Sequence, residues 1–109
     1  MILDFDLLVE ETANVFGLSA SDVLGDSRKK TPSLARHVVA ALWTDDHTYE
    51  DAARKIGRLH HGSVIYAREK IFHMAQLDES FSRLVIEISR RCQYGADEPG
   101  ELPEDKEKE

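Results

Sequence analysis

The chain has a single cysteine, Cys92, in 109 residues. It can therefore form neither an intrachain disulfide nor a zinc finger ligated by cysteines, and Cys92 reads as a small, partly buried helix residue. Its longest apolar run, Val38 to Trp43, falls far short of the roughly 20 residues that cross a bilayer as a helix. No basic residue precedes Arg28, and the N-terminus MILDFDLL has acids where a secretory leader needs cations. These absences predict a cytoplasmic protein with no membrane association. No phosphate loop of the G-x4-G-K-[ST] type occurs, nor G-x-G-x-x-G, nor G-x-S-x-G, so no nucleotide site or nucleophile elbow is expected. His37, His47, His60, His61 and His73 invite a metal reading. However, His60 and His61 are adjacent and point to different helix faces, and neither H-x3-H nor H-E-x-x-H is present. Ser63 lies near this histidine pair, but serines are common at helix N-termini and so short a domain has no evident cleft. The expectation is no catalytic residue, no metal and no cofactor.

What the chain does have is charge, unevenly placed. Its net charge of −7 argues at first against nucleic acid, which prefers basic partners. Counted by segment, residues 1–27 hold six acids and no base, and 97–109 hold seven acids against two lysines. Residues 28–70 hold nine bases and five acids, and 71–96 balance at three each. All the excess positive charge thus lies in the middle. Its magnitude, +4, implies weak, salt-sensitive phosphate binding unless the chain dimerises or has partners. With 41% apolar and 7% aromatic residues, the length suits one helical domain with a single small core.

Apolar periodicity divides residues 1–94 into helices. Leu7, Leu8, Thr12, Val15 and Phe16 form one stripe, with Asp4 or Asp6 as cap and Gly17 as stop. Ser19 and Asp22 make an S-x-x-D box for a very short second helix closed by Gly25. A third follows the basic loop Arg28–Lys29–Lys30, with Thr31 as cap and Pro32 in the first helical position. Its core side is Leu34, Val38, Ala41 and Leu42, Trp43 closes the core, and Arg36 and His37 lie off the stripe. Near the C-terminus, Asp78 caps a helix with Phe81, Leu84, Val85 and Ile88 inward, where Arg90 and Arg91 suit the C-terminal dipole. Residues 95–109, GADEPGELPEDKEKE, have almost nothing apolar and are expected to be a disordered acidic tail.

The stretch from Thr48 to Ile71 looks built to be presented. Thr48 and Asp51 make a capping box, Ala52, Ala53 and Ile56 a narrow stripe, and Gly57 a left-handed C-terminal cap. A longer helix follows with Val64, Ala67, Ile71 and Ala75 on one face and His60, His61, Gly62 and Ser63 in its first turn. Arg68 and Lys70 fall outside the stripe. A short helix, a glycine turn and a longer helix with a polar start is the helix-turn-helix arrangement that puts side chains into a DNA major groove. The expected span is about 48–77.

Together, the loop RKK, the helix SLARHVVAAL, the segment TYEDAARKIG and the run RLHHGSVIYAREKI resemble the C-terminal DNA-binding domain (domain IV) of the bacterial replication initiators of the DnaA family. In that family a basic loop is followed by A-R-Q-x-A-M-x-L, then S-L-x-x-I-G, then G-R-D-H-T-T-V-x-H-A-x-x-K-I. The likeness covers about residues 8–90. It implies an all-α, five- to six-helix domain, Trp-repressor-like, whose helix-turn-helix reads the major groove while the basic loop reaches the adjacent minor groove. Carried over, Arg28, Lys29 and Lys30 match the loop and Arg36 the phosphate-holding arginine. His61 matches the base-contacting histidine and Ser63 the second threonine, while Val64, Ala67, Lys70 and Ile71 match as they stand. The departures are Leu59 and His60 for the Arg-Asp pair and Gly62 for the first threonine. The connection from Trp43 to Thr48 is also shorter by about two residues. Each base-reading group that is missing removes about 1–3 kcal/mol of discrimination.

The resemblance thus predicts double-stranded DNA as partner, with altered or relaxed sequence specificity. The expected DNA-binding set is Arg28, Lys29, Lys30, Arg36, His37, Arg58, His60, His61, Gly62, Ser63 and Arg68, with the arginines and lysines on phosphates and His61 and Ser63 on bases. The ATPase module of an initiator is absent from these residues, which predicts a stand-alone relative. The alternative is a protein-interaction module that keeps the fold and meets a replication or regulatory protein through its acidic surface.

Overall fold

A computed structural model describes residues 2–57 and 59–94. Six helices follow one another with no strand among the described residues: α1 (Phe5–Phe16), α2 (Ala20–Leu24), α3 (Lys30–Trp43), α4 (Tyr49–Ile56), α5 (His61–Leu77) and α6 (Glu79–Tyr94). Local chemistry sets most boundaries. Asp4 accepts the Leu7 N–H at the start of α1, and Ser19 and Asp22 complete a reciprocal box at α2. Thr48 accepts the Asp51 N–H at α4, and Asp78 accepts the Phe81 N–H at α6. Gly17 and Gly57 close α1 and α4 at φ 71° and 82°, a region where a side chain would be strained.

The core is organised around α3, nine of whose fourteen residues are buried. Ala35, Val38, Val39, Ala40 and Ala41 are fully enclosed, as are Val64, Ala67 and Ile71 of α5, and α3 packs most extensively against α5. The alanines let the two helix axes approach closely, since interaxial distance follows the side chains at the contact. Each fully buried Val or Ile contributes about 1.5–3 kcal/mol relative to exposure. α1 covers another side of α3, and α6 lies against α1 and α5 with Phe81, Val85, Ile88 and Cys92 inward. Burial pushes the Cys92 thiol up to about 11. No described helix is long and apolar enough to cross a membrane.

Several local expectations need correction. Thr31 does not cap α3. The helix begins at Lys30, with the Lys29 carbonyl accepting the Ser33 N–H, and Pro32 still falls in the first turn, where a missing N–H costs nothing. Leu34 is only partly buried, whereas Arg36, expected off the core, is 7% exposed. At α4 only half of the capping box forms, because the Asp51 carboxylate is taken by the Trp43 indole N–H at 2.7 Å and by Arg54 at 2.5 Å. Arg91 does more than face the end of α6: it pairs with Glu87 and reaches Glu11 of α1 at 3.4 Å. The acidic tail lies outside the described residues.

The Trp43–Asp51 contact fastens α4 to the end of α3. Phe5 meets the Trp43 ring edge-on and His47 stacks on it at 3.7 Å. The indole hydrogen bond, followed by the charges of Arg54 and Lys55, holds the Asp51 carboxyl below its ordinary 3.8. A depressed carboxyl adds stability that is present above the unfolded-chain value and is lost as the pH falls through the lower folded value. Acid titration followed by Trp43 emission is therefore expected to show a transition below pH 3.8 that Asp51→Asn removes. The same transition in both proteins would show that another group controls it.

Candidate nucleic-acid interface

Two helices differ from the rest at their starts. Lys29 precedes α3 and His60 precedes α5 in the capping position with no side chain closing the first turn, whereas Asp4, Ser19, Thr48 and Asp78 close the other four. Both ends therefore present backbone N–H groups and the positive pole of a helix dipole. Exposed residues surround them: Arg28, Lys29 and Lys30 at α3, and the polar His60, His61 and Ser63 with Gly62 at α5. The two ends are neighbours, because Arg28 and Leu59 line one groove with Asp26 and Arg36. A Cβ added at Gly62 would meet nothing within 4 Å, so packing does not require the glycine there.

Behind these ends two side-chain rows converge. Lys30, Ser33 and His37 recur at i, i+3 and i+7 on α3, and Ser63, Tyr66 and Lys70 do the same on α5, so each row shares a helix face. The rows meet where the His37 and Tyr66 rings touch edge to face, with centroids 6.3 Å apart. Tyr66 is 60% exposed. The site set read from the sequence omits both Tyr66 and Lys70, although the helical period counted from Ser63 points to them. His37 is partly buried, and its Nδ1 is enclosed without a hydrogen-bond partner. Burial, then the positive charges of Lys70 and Arg36, push its pKa below 6.5.

Two arginines of the expected set are committed to the fold. Arg36 Nε donates to the Val23 carbonyl at 2.8 Å, and both terminal nitrogens donate to the Ser27 carbonyl at 3.3 Å. It thereby ties α3 to the end of α2 and to the loop that carries Arg28. Arg68 donates to the Ala41 carbonyl at 3.0 Å, Thr44 Oγ1 at 3.2 Å and Asp45 Oδ1 at 2.9 Å, and its guanidinium lies over the Phe72 ring at 4.7 Å. Those partners sit at the C-terminal end of α3, about 20 Å along a fourteen-residue helix from Lys30. The structure thus brings Arg28, Lys29, Lys30 and His37 to the same side as residues 60–63, and sets Arg68 apart. Arg58 lies outside the described residues. No group of three or more His, Cys, Asp or Glu that could hold a metal occurs among the described residues.

The chain matches the family model described as bacterial dnaA protein helix-turn-helix over residues 5–71, from the start of α1 into α5. It is also similar to the chromosomal replication initiator protein DnaA of Pelobacter propionicus (strain DSM 2379 / NBRC 103807 / OttBd1), at 32% identity over 85 residues. That alignment covers 76% of this chain and 19% of the initiator, so the chain spans about a fifth of that relative's length.

Arg36 generates a prediction about stability. Its buried guanidinium satisfies two backbone carbonyls, and hydrogen bonds to charged groups contribute about 1.5–3 kcal/mol each. Arg36→Ala is expected to lower unfolding free energy by roughly 2–4 kcal/mol in urea titration, with Arg36→Lys recovering only part of it. A change within about 0.5 kcal/mol, as at an ordinary surface site, would show that these bonds do not anchor the loop.

Proposed function

The chain belongs to the bacterial DnaA helix-turn-helix family, and from that membership we propose that it binds double-stranded DNA. The start of α5 enters the major groove, with His61 and Ser63 at base edges and His60 and Gly62 beside them. Arg28, Lys29 and Lys30 lie along phosphates toward the neighbouring minor groove, and His37 lies against the backbone between. Arg36 acts on this surface by fixing the loop. The observation that carries the reading is the convergence of two helix starts, neither closed by a side chain, with the basic loop.

Specificity follows from what the reading edge lacks. A bidentate contact to a base needs a side chain with paired hydrogen-bonding groups, and Leu59 and Gly62 offer none. Phosphate and helix-dipole contacts remain, and these position a protein without reading sequence. The reading is therefore duplex binding with relaxed or altered sequence preference, in replication or its control. A second reading rests on the base-free first 27 residues, whose Asp4, Asp6, Glu10, Asp22 and Asp26 are exposed. Asp4, Asp6 and Glu10 suit a basic protein partner, whereas Asp22 borders Lys29 and Lys30 and Asp26 borders Arg28.

Affinity for duplex DNA measured across salt tests the first reading. Replacing Arg28, Lys29 and Lys30 with alanine is expected to flatten the log–log salt dependence by about 0.9 for each phosphate no longer neutralised. Arg83→Ala, in an exposed pair with Glu79 on α6, is expected to leave the slope unchanged. Absence of duplex binding at low salt would sink the proposal.

A further inference from the structure

We propose that DNA binding by this chain takes up a proton at His37, so that its affinity for duplex DNA rises as the pH falls. This rests on the duplex-binding reading above and concerns how that same surface is regulated. His37 stands where the α3 row of Lys30 and Ser33 meets the α5 row of Ser63, Tyr66 and Lys70, with its ring edge to face with Tyr66. One ring nitrogen, Nδ1, is enclosed and unpartnered. Nε2 makes no hydrogen bond among the described residues and is not enclosed, so it is the nitrogen that opens outward. With the neutral ring's hydrogen on the enclosed Nδ1, the proton taken up enters at Nε2 and the new N–H faces the surface.

The charged groups acting on this ring are all of one sign. From α5 comes Lys70, with the Tyr66 phenol beside the ring, and from α3 comes Arg36. Burial and these two cations disfavour the imidazolium in the free protein. A DNA phosphate placed against the two rows brings the opposite charge to the same spot. It counters Lys70 and Arg36 and gives an imidazolium a charged acceptor at Nε2. Proton and phosphate therefore favour each other's binding, and linkage makes the effect reciprocal. The sign follows: His37 titrates below 6.5 in the free protein and higher in the complex. Affinity rises as the pH falls between those two values and is flat with respect to His37 outside them. Glutamine is a side chain that cannot titrate. His37→Gln therefore substitutes a neutral hydrogen-bonding group of similar reach.

The test is fluorescence anisotropy of a labelled duplex with the full chain, at constant ionic strength, from about pH 5.5 to 7.5. Wild-type protein is expected to bind about threefold to tenfold more tightly at the lower pH, where tenfold corresponds to one unit of pKa difference between free and bound forms. His37→Gln is expected to lose most of that change, leaving whatever His60 and His61 contribute. A second measurement uses unsubstituted protein: the His37 ring titration followed by NMR is expected to shift to higher pH when duplex is added. Duplex binding with an undiminished pH slope in His37→Gln, or a His37 midpoint that duplex leaves in place or lowers, would overturn the inference while duplex binding stood. Failure of the wild-type protein to bind duplex at any of these pH values would overturn both.

Discussion

The contact between α3 and α5 is the constraint on which the rest depends. Ala35, Val38, Val39 and Ala41 on one helix and Val64, Ala67 and Ile71 on the other are wholly shielded from solvent. Every feature of the candidate interface is placed by that seam: the loop before α3, the start of α5, and the two rows that meet at His37 and Tyr66. Polar side chains then fix α3 at both ends. Arg36 binds carbonyls of α2 and the preceding loop, while Arg68 and Asp51 hold its far end to α5 and α4. A surface offered from such a seam is rigid, and rigidity reduces the ordering cost of binding.

The division of charge makes sense against this frame. Cations near the interface keep their water only where they are not needed inside, as at Arg28, Lys29 and Lys30, which are all exposed. Arg36 and Arg68 instead direct hydrogen bonds to backbone carbonyls of Val23, Ser27 and Ala41, a commitment that competes with any use at a surface. Asp22 and Asp26 border this loop, but Arg28, Lys29 and Lys30 outnumber them there. A protein with an overall net charge of −7 can therefore still present a locally positive face.

Helix positions are largely legible in the sequence because each depends on neighbours in the chain. Ser19 with Asp22, Gly17 and Gly57 act within one turn, and the Val64–Ala67–Ile71 stripe follows from period alone. The departures share one physical origin, a competing partner far along the chain. Asp51 reads as part of its own cap because nothing local announces the Trp43 indole. Arg36 and Arg68 read as outward-facing because a run of residues shows their charge but not the carbonyls of Val23, Ser27 and Ala41. Tyr66 escapes a sequence reading for the opposite reason: attention goes to the first turn of α5, while the contact with His37 arises only when two helices cross.

Cys92 carries a practical consequence. Enclosed against α1, with a thiol that stays protonated until about 11, it remains a poor nucleophile at neutral pH. The molecule therefore has a chemically silent background despite its cysteine. A new thiol placed at an exposed interface position such as Ser63 would react with a label first, so distances from this face to bound partners become measurable without first removing the native sulfur from the core.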